Sequence, residues 1–340
     1  MKHIVLTSMP DSELAGRWNA FLVNARFATH YVTPNYFLDP YVREGCFAIL
    51  AIDKDDEIAA VATGTANGRS ISSGLFSRPQ MVFGKNVDRI AATNGIMRGI
   101  DELGGSEAHL IELFAWEETP EFSLHDMQVR PSNEQTSIVM LDLSLGADAI
   151  FANFSQTRRN EVRKAIKQGL VEVKPLETEE ELAEIYRTHC DWNVRKGNVA
   201  DSFEQMRIAA GQTENRQVFI AKVDGEVIAA SFYRFCPGGV VEYSANFSRP
   251  EYQRFRPNDL IGWRAIEWAC GTGAAYFSMG GSHMFLRRFG GEVIRTYRYR
   301  RDQTRFRRYD LSENARDFGV EVFRRMPENV RSGVRKILAK

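Results

Sequence analysis

Two stretches of the chain carry the same alternation of apolar and polar positions. Residues 47–62, "FAILAIDKDDEIAAVA", place two short apolar runs around an acidic turn. Residues 218–232, "VFIAKVDGEVIAASF", do the same around Asp224-Gly225, a dipeptide suited to a tight hairpin. The match continues beyond the hairpins. "FSRPQ" at 76–80 answers "FSRPE" at 247–251, which puts Phe76 in register with Phe247 and Ile90 with Ile261. A helical pattern follows each, over 86–104 and 257–271, and closes near glycine. Apolar strands come next, at 109–116 and 274–280. A strand–strand–strand–helix–strand unit therefore occurs twice, about 170 residues apart.

This repeat predicts two similar α/β domains, the first over residues 1–147 and the second over 148–305. The second opens with "DAIFANFSQTRRNEVRKAIKQG" (148–169), read as one amphipathic helix with Phe154, Val162 and Ile166 near one face and Gly169 as its stop. The strand "LVEVKPL" follows, then a helix started by a capping box of Thr178 and Glu181, then a further helix over 201–211. Residues 306–340 form a basic helical segment, broken at Pro327, that is expected to pack back on the first domain.

Composition adds exclusions. With 44% hydrophobic and 26% charged residues the chain is an ordinary globular one, and no apolar run reaches the roughly 18 residues of a membrane span. The apolar stretch at the N-terminus is too short for a signal peptide, and the four cysteines are widely spaced. The expectation is a cytoplasmic protein with reduced thiols that acts as a monomer. Net charge is zero, yet residues 287–340 hold 16 Lys/Arg against 7 Asp/Glu. That basic end is a candidate surface for anions, including an anionic membrane.

Familiar catalytic signatures are absent. Gly271-Thr272-Gly273 follows a helix and enters a strand, the reverse of the order for dinucleotide binding. There is no P-loop, no G-x-S-x-G elbow, and no histidine spacing that would hold a metal. What remains is positive charge on turns and helix starts. The helix over 157–168 offers Arg158, Arg159, Arg163 and Lys167; the loop "SRPEYQRFRPND" offers Arg254 and Arg256 with Tyr252 and Asn258. Helix N-termini bind anions through free N–H groups, and arginines with aromatics suit phosphates and bases. The segment "FSMGGSHMFLRRFGG" (277–291) combines glycine pairs with Arg287 and Arg288, and proton acceptors are sought at His283, Asp259 and Glu242.

The doubled unit, the basic "RRNEVRKAIKQG" helix and the closing "F-x-x-x-F-G-G" resemble the Fem-type aminoacyl transferases and their FemAB-like relatives. The resemblance spans essentially the whole chain. It implies two tandem GNAT-like domains and transfer of an acyl group onto an amine, with no cofactor beyond the donor itself. The donor is aminoacyl-tRNA or, in other relatives, acyl-CoA, and the acceptor is the amine of a peptide or cell-wall precursor. Here "YQRFRPND" lacks the glycines with which acetyltransferases of this fold cradle the CoA pyrophosphate, which favours aminoacyl-tRNA. Where the family often has a catalytic lysine this chain has Leu286, with Arg287 as the nearest replacement; a lysine at 286 is expected to be tolerated. Trp192, Arg195 and Tyr243 are the acceptor-side candidates. A polysaccharide or small-molecule amine as acceptor for acyl-CoA, and a non-catalytic tRNA- or membrane-binding protein, stand as alternatives.

Overall fold

The structure is a computed structural model that describes residues 1–42 and 45–327. The chain begins with β1 (Lys2–Leu6), α1 (Ser12–Asn24), β2 (Cys46–Ile52), β3 (Ile58–Ala66), β4 (Ser70–Leu75), β5 (Arg78–Pro79), β6 (Met81–Phe83), α2 (Arg89–Ile100), β7 (Leu110–Ala115) and β8 (Gln128–Pro131). Next come β9 (Ile138–Asp142), α3 (Gly146–Asn153), α4 (Gln156–Gln168), β10 (Glu172–Pro175), α5 (Glu179–Lys196) and α6 (Phe203–Gly211). The second copy of the repeat is β11 (Arg216–Val223), β12 (Glu226–Phe235), β13 (Val240–Ser248), α7 (Pro257–Gly271) and β14 (Tyr276–Ser278). α8 (Met284–Arg287), β15 (Glu292–Ile294), β16 (Tyr297–Asp302) and α9 (Arg308–Arg325) follow.

Both copies make the same sheet pattern. β2–β3 and β11–β12 are antiparallel hairpins, and after the helix crossover β4 pairs with β7, and β13 with β14, in parallel. Asp224 and Gly225 both hold positive φ, 50° and 84°, as the tight turn requires. The finer register slips. Ile90 is exposed while Ile261 is buried, and the buried isoleucines at mid-helix are Ile96 and Ile266. The two F-S-R-P turns also differ: the first tips a β4–β5 hairpin, the second enters a 3-10 turn at Pro250–Phe255.

Residues 148–169 form two helices instead of one. Ser155 caps α4, its Oγ accepting the Arg158 N–H, while the Arg159 guanidinium donates to the carbonyls of Ala152 and Phe154 at the end of α3. Phe154 and Val162 are buried, but Ile166 is exposed. Thr178 caps α5, yet the Glu181 carboxylate accepts from the Glu177 N–H in place of closing the box.

The two sheets are joined by a crossing ribbon. β8 and β9 run on from one another, β15 and β16 likewise, and the two segments lie antiparallel. Between them the Ser132 N–H donates to the Thr296 carbonyl at 2.7 Å. The first sheet has the order β1-β2-β3-β4-β7-β16-β8, and the second β10-β11-β12-β13-β14-β9-β15. Strand 138–142 thus sits within the second sheet and strand 297–302 within the first, across the limits that the repeat suggests at 147 and 305. α2 covers one face of the first sheet; in the second, α7 with α3 and α4 packs on one face and α5 with α6 on the other.

α9 docks on the ribbon side of the first sheet through charge. Arg298 holds Glu313 with two bonds (2.9 and 2.6 Å), and Arg300 and Arg130 converge on the same carboxylate. The hydrogen bonds from Arg298 hold the Glu313 carboxyl down to about 2. Leu311 and Phe318, on another side of α9, are exposed. The helix stops at Arg325, before Pro327, and the rest of the basic tail lies outside the described residues. Among the described residues no helix is long and apolar enough to cross a membrane.

The turn after β14 is pinned from below. Gly280 has φ 70°, and a Cβ there would come within 2.7 Å of the Tyr243 carbonyl, so only glycine lets the chain pass β13 this closely. Arg158, fully buried, forms an ion pair with Asp259 of α7, donates to the Phe285 carbonyl at 3.1 Å, and lies over the rings of Phe285 and Phe289. Burial lowers its pKa to about 10, so it stays charged at neutral pH. This corrects two expectations: Arg158 has no surface to offer a donor, and Asp259 is committed to Arg158 and so unavailable as a base. Arg287 points to the ribbon loop, donating to the Ser282 carbonyl at 2.5 Å and pairing with Glu134 at 3.3 Å. His283 is exposed on the turn, its ring 6.3 Å from that of Phe285. Leu286, the position of the family lysine, is 3% exposed within the core under the turn. Leu286→Lys should therefore destabilise the protein by about 3–5 kcal/mol, through lost packing and a buried charge. Arg287→Ala should cost under about 1 kcal/mol, as expected for a half-buried surface pair. Denaturant midpoints of the two variants check both; a lysine at 286 without loss of stability would contradict the packing.

Candidate functional site between the sheets

A cleft opens between the two sheets, and its wall is a segment that belongs to neither. Residues 28–41 leave α1, run as short 3-10 turns at His30–Val32 and Pro34–Leu38, and are mostly buried, with Leu38 exposed. Hydrogen bonds to the second half hold them: the Val240 N–H donates to the Ala28 carbonyl at 2.8 Å, Gln205 to the Pro40 carbonyl at 3.1 Å, and Gln212 to the Leu38 carbonyl at 2.6 Å. On the other side Thr63 of β3 donates to the Tyr31 carbonyl at 2.6 Å.

Three arginines from three different elements meet this segment. Arg216, opening β11, pairs with Asp39 at 2.8 Å. Arg78 is held by the β4–β5 hairpin, whose Gly74 (φ 94°) is needed because a side chain there would collide with the Arg78 carbonyl. It donates to the Tyr31 hydroxyl at 3.0 Å. Arg234 of β12 lies 4.9 Å from the Tyr31 ring centre and 5.9 Å from that of Tyr41. Two adjoining cavities, of about 400 and 220 Å³, share Tyr41, Arg78 and Arg234 as walls.

The floor is set by a bulge. Arg234 faces Glu242 across β12–β13, and the register then skips Ser244, so that Phe232 pairs with Ala245 and Tyr233 with Tyr243. An extra residue reverses which side chains face which side. Val241 and Tyr243 point to the α7 core, whereas Ala245 and Phe247 point to the α5–α6 side. Ser244, Ala245 and Phe247 line the smaller cavity, and Glu242, 3% exposed, lies opposite Arg234 behind the cavity wall without lining it. β13 pairs with β14 only from Val240 to Glu242, and no strand among the described residues pairs with this edge from Tyr243 to Ser248.

Burial governs the titration here. Glu242 is pushed above the usual carboxylate range by burial, with the Arg234 charge opposing. His30 is lowered to about 4 by burial, against the hydrogen bond it shares with Asp39 at 3.2 Å, and is neutral at pH 7. Burial raises Asp39, but the His30 bond and the Arg216 charge outweigh it and hold the group ionised.

The sequence-based candidates fall elsewhere. Tyr243 packs on Tyr233 in the core, so it cannot meet an acceptor in the cleft. Trp192 stacks edge-on with Phe247, and Arg195 approaches the Ser248 carbonyl at 3.5 Å; both sit on α5 outside the two cleft cavities, Arg195 lining a separate one with Arg187 and Arg249. Tyr252 donates to Glu226 at 3.0 Å, and Asn258 is held between Asn246 and Ser248. Arg159 caps α3. Arg163, Lys167, Arg254 and Arg256 are exposed, and a 3.5 Å pair between Arg256 and Glu161 brings the loop against α4. Tyr31, Asp39, Tyr41, Arg78, Arg216 and Arg234 escaped sequence reasoning, and only Glu242 was noticed. Two signals were present: five aromatics in the aperiodic stretch 26–42, and charges at Arg234 and Glu242 inside apolar runs. No cluster of three or more metal-ligating side chains occurs among the described residues.

Residues 152–301 match the family model described as "Acetyltransferase (GNAT) domain". No curated protein matches the chain by sequence. Among solved structures, FemX aligns with a TM-score of 0.68 at 15% identity, covering 89% of this chain and 98% of its own. The C-terminal DUF2156 domain of an Agrobacterium fabrum protein described as a lysylphosphatidylglycerol synthetase aligns with a TM-score of 0.61 at 10% identity, over 89% and 96% of the two chains. L-PGS from Bacillus licheniformis gives 0.55 at 12% identity, over 86% and 92%. Residues 152–301 thus match a GNAT domain, and the chain as a whole shares the fold of FemX and these two structures.

Proposed function

We propose that the protein is an N-acyltransferase that seats an amine in the cleft between its sheets and acylates it from aminoacyl-tRNA. The observation that carries this reading is Glu242. It is a buried carboxyl of raised pKa, at the last position where β13 pairs with β14, next to a free strand edge. An extended donor arm can hydrogen-bond along that edge, which brings its carbonyl beside the cleft. The acceptor nitrogen gives its proton to Glu242 as it attacks the carbonyl carbon of the donor ester. The N–C bond forms, the ester C–O bond breaks, and Glu242 returns the proton to the departing ribose hydroxyl. A carboxylate raised toward neutral pH suits both transfers. The acceptor is the amine of a peptide or a peptidoglycan-precursor-like molecule.

The donor end supports tRNA. The stretch 248–257 has no glycine, folds as a 3-10 turn topped by Phe255, and leads into an α7 whose first turn already contains Asp259. A pyrophosphate finds no open row of N–H groups there. Exposed Arg163, Lys167, Arg254 and Arg256 make instead a broad basic surface of the kind that tracks a nucleic-acid backbone. The match of residues 152–301 to an acetyltransferase domain favours a second reading, in which acyl-CoA is the donor and a polysaccharide or small-molecule amine the acceptor.

Two outcomes follow. In wild type, kcat should fall with decreasing pH along a limb above the usual carboxylate value near 4.3. Glu242→Gln should remove the limb and lower kcat about 10²–10³-fold with KM little changed. A pH profile that keeps its acidic limb in the variant would exclude Glu242 as the base. For the donor, the Arg254→Ala/Arg256→Ala double variant should weaken aminoacyl-tRNA binding and flatten its salt dependence by about two units of slope. Equal affinity at two salt concentrations, with acetyl-CoA bound instead, would move the reading to acyl-CoA.

A further inference from the structure

Arg234 is nine-tenths buried, lines both cavities of the cleft, and makes no hydrogen bond or ion pair with any described residue; its Nε has no partner at all. The contrast with Arg158 lies at the terminal nitrogens: its Nε is unpaired too, but its Nη atoms are matched by Asp259 and a carbonyl. Among the described residues Arg78 also has no carboxylate partner, and it donates to the Tyr31 hydroxyl. Of the acids nearby, Asp39 is taken by Arg216 and His30, Asp201 on the wall of the smaller cavity is half-exposed and lies against His189 at 3.7 Å, and Glu242 is driven toward its neutral form by burial. Among the described residues no carboxylate forms an ion pair with either of the two guanidinium groups that share this wall.

A buried cation is costly unless a counter-charge arrives, and a guanidinium fork fits two oxygens of one planar or tetrahedral anion. We infer that Arg234 and Arg78 form an oxyanion subsite, so that the acyl acceptor is an amine that also bears a carboxylate or a phosphate. This rests on the cleft being the acceptor site. The anion end is held between the arginines over the Tyr31 face, and the amine end is directed toward Glu242, opposite Arg234. Recognition then works by distance between the two ends: an amine without the anion lacks its anchor and is disfavoured in kcat/KM.

The test reads binding, without turnover. Thermal melts of the full chain are recorded with inorganic phosphate or succinate, at ionic strength matched with sodium chloride, for wild type, Arg234→Met and Glu242→Gln. One of the two anions should raise the wild-type midpoint by about 2–6 °C, and which one does so identifies phosphate or carboxylate as the natural group. Arg234→Met should lose that shift and, in chloride alone, melt no lower than wild type, because an apolar side chain replaces an unmatched cation. A lower midpoint for Arg234→Met with no anion effect in wild type would make Arg234 a structural partner of Glu242 and overturn the subsite. A shift that survives Arg234→Met would place the anion elsewhere and overturn it equally. Glu242→Gln keeps the anion shift if the subsite exists, whatever its effect on turnover, so a failed base and a failed subsite give different results.

Discussion

The crossing of two strands between the sheets is the constraint from which the rest follows. β16 lies inside the first sheet, between β7 and β8, and β9 lies inside the second, between β14 and β15. Neither half completes its sheet from its own part of the chain. Removing either strand leaves a row of backbone donors and acceptors unpaired in a buried position, which is what makes such an exchange hard to open. Segment 28–41 adds a second tie, from the end of α1 to β11 and β13. With two ties the cleft walls are held in place before any ligand enters. Charges buried in these walls interact more strongly than they would in water.

The two buried arginines show how differently the same side chain is used. Arg158 pairs with Asp259 and the Phe285 carbonyl and fastens α4, α7 and the turn after β14 together. Removing it alone would strand Asp259 and cost about 3–5 kcal/mol. Arg234 is held by aromatic faces and a distant carboxyl, without a direct partner. One is an internal fastener and the other faces a cavity. The distinction rests on partners, because both are buried.

Much of the architecture is legible in the sequence, because hairpins and amphipathic helices write their periods locally. The doubled unit, the Asp224-Gly225 turn and the α5 cap are all of this kind. The cleft is not, and the reasons are physical. β8 and β15 are four and three residues long, too short to show alternation, and they are joined to partners more than 150 positions away. Residues 28–41 have no period because their burial comes from contacts with the far half of the chain. Arg158 and Arg163 look alike as neighbours on a basic helix; only the fold turns one inward, beneath the rings of Phe285 and Phe289, and leaves the other in solvent. "FSMGGSHMFLRRFGG" reads as chemistry in sequence, yet its leucine is core and its first arginine a clasp on Glu134. The first copy of the F-S-R-P match carries Arg78 to the cleft wall, a placement that the repeat itself does not announce.

Native-state hydrogen exchange across a range of low denaturant tests the central claim, that the exchanged strands make the two halves one body around a preformed cleft. Amides of β9, β16, β3 and β12 should share a single opening free energy, equal to that of global unfolding, and the same denaturant slope. Opening of one sheet well below the global value, with the other still protected, would contradict it and leave the cleft as a surface that forms only when two independent domains happen to close.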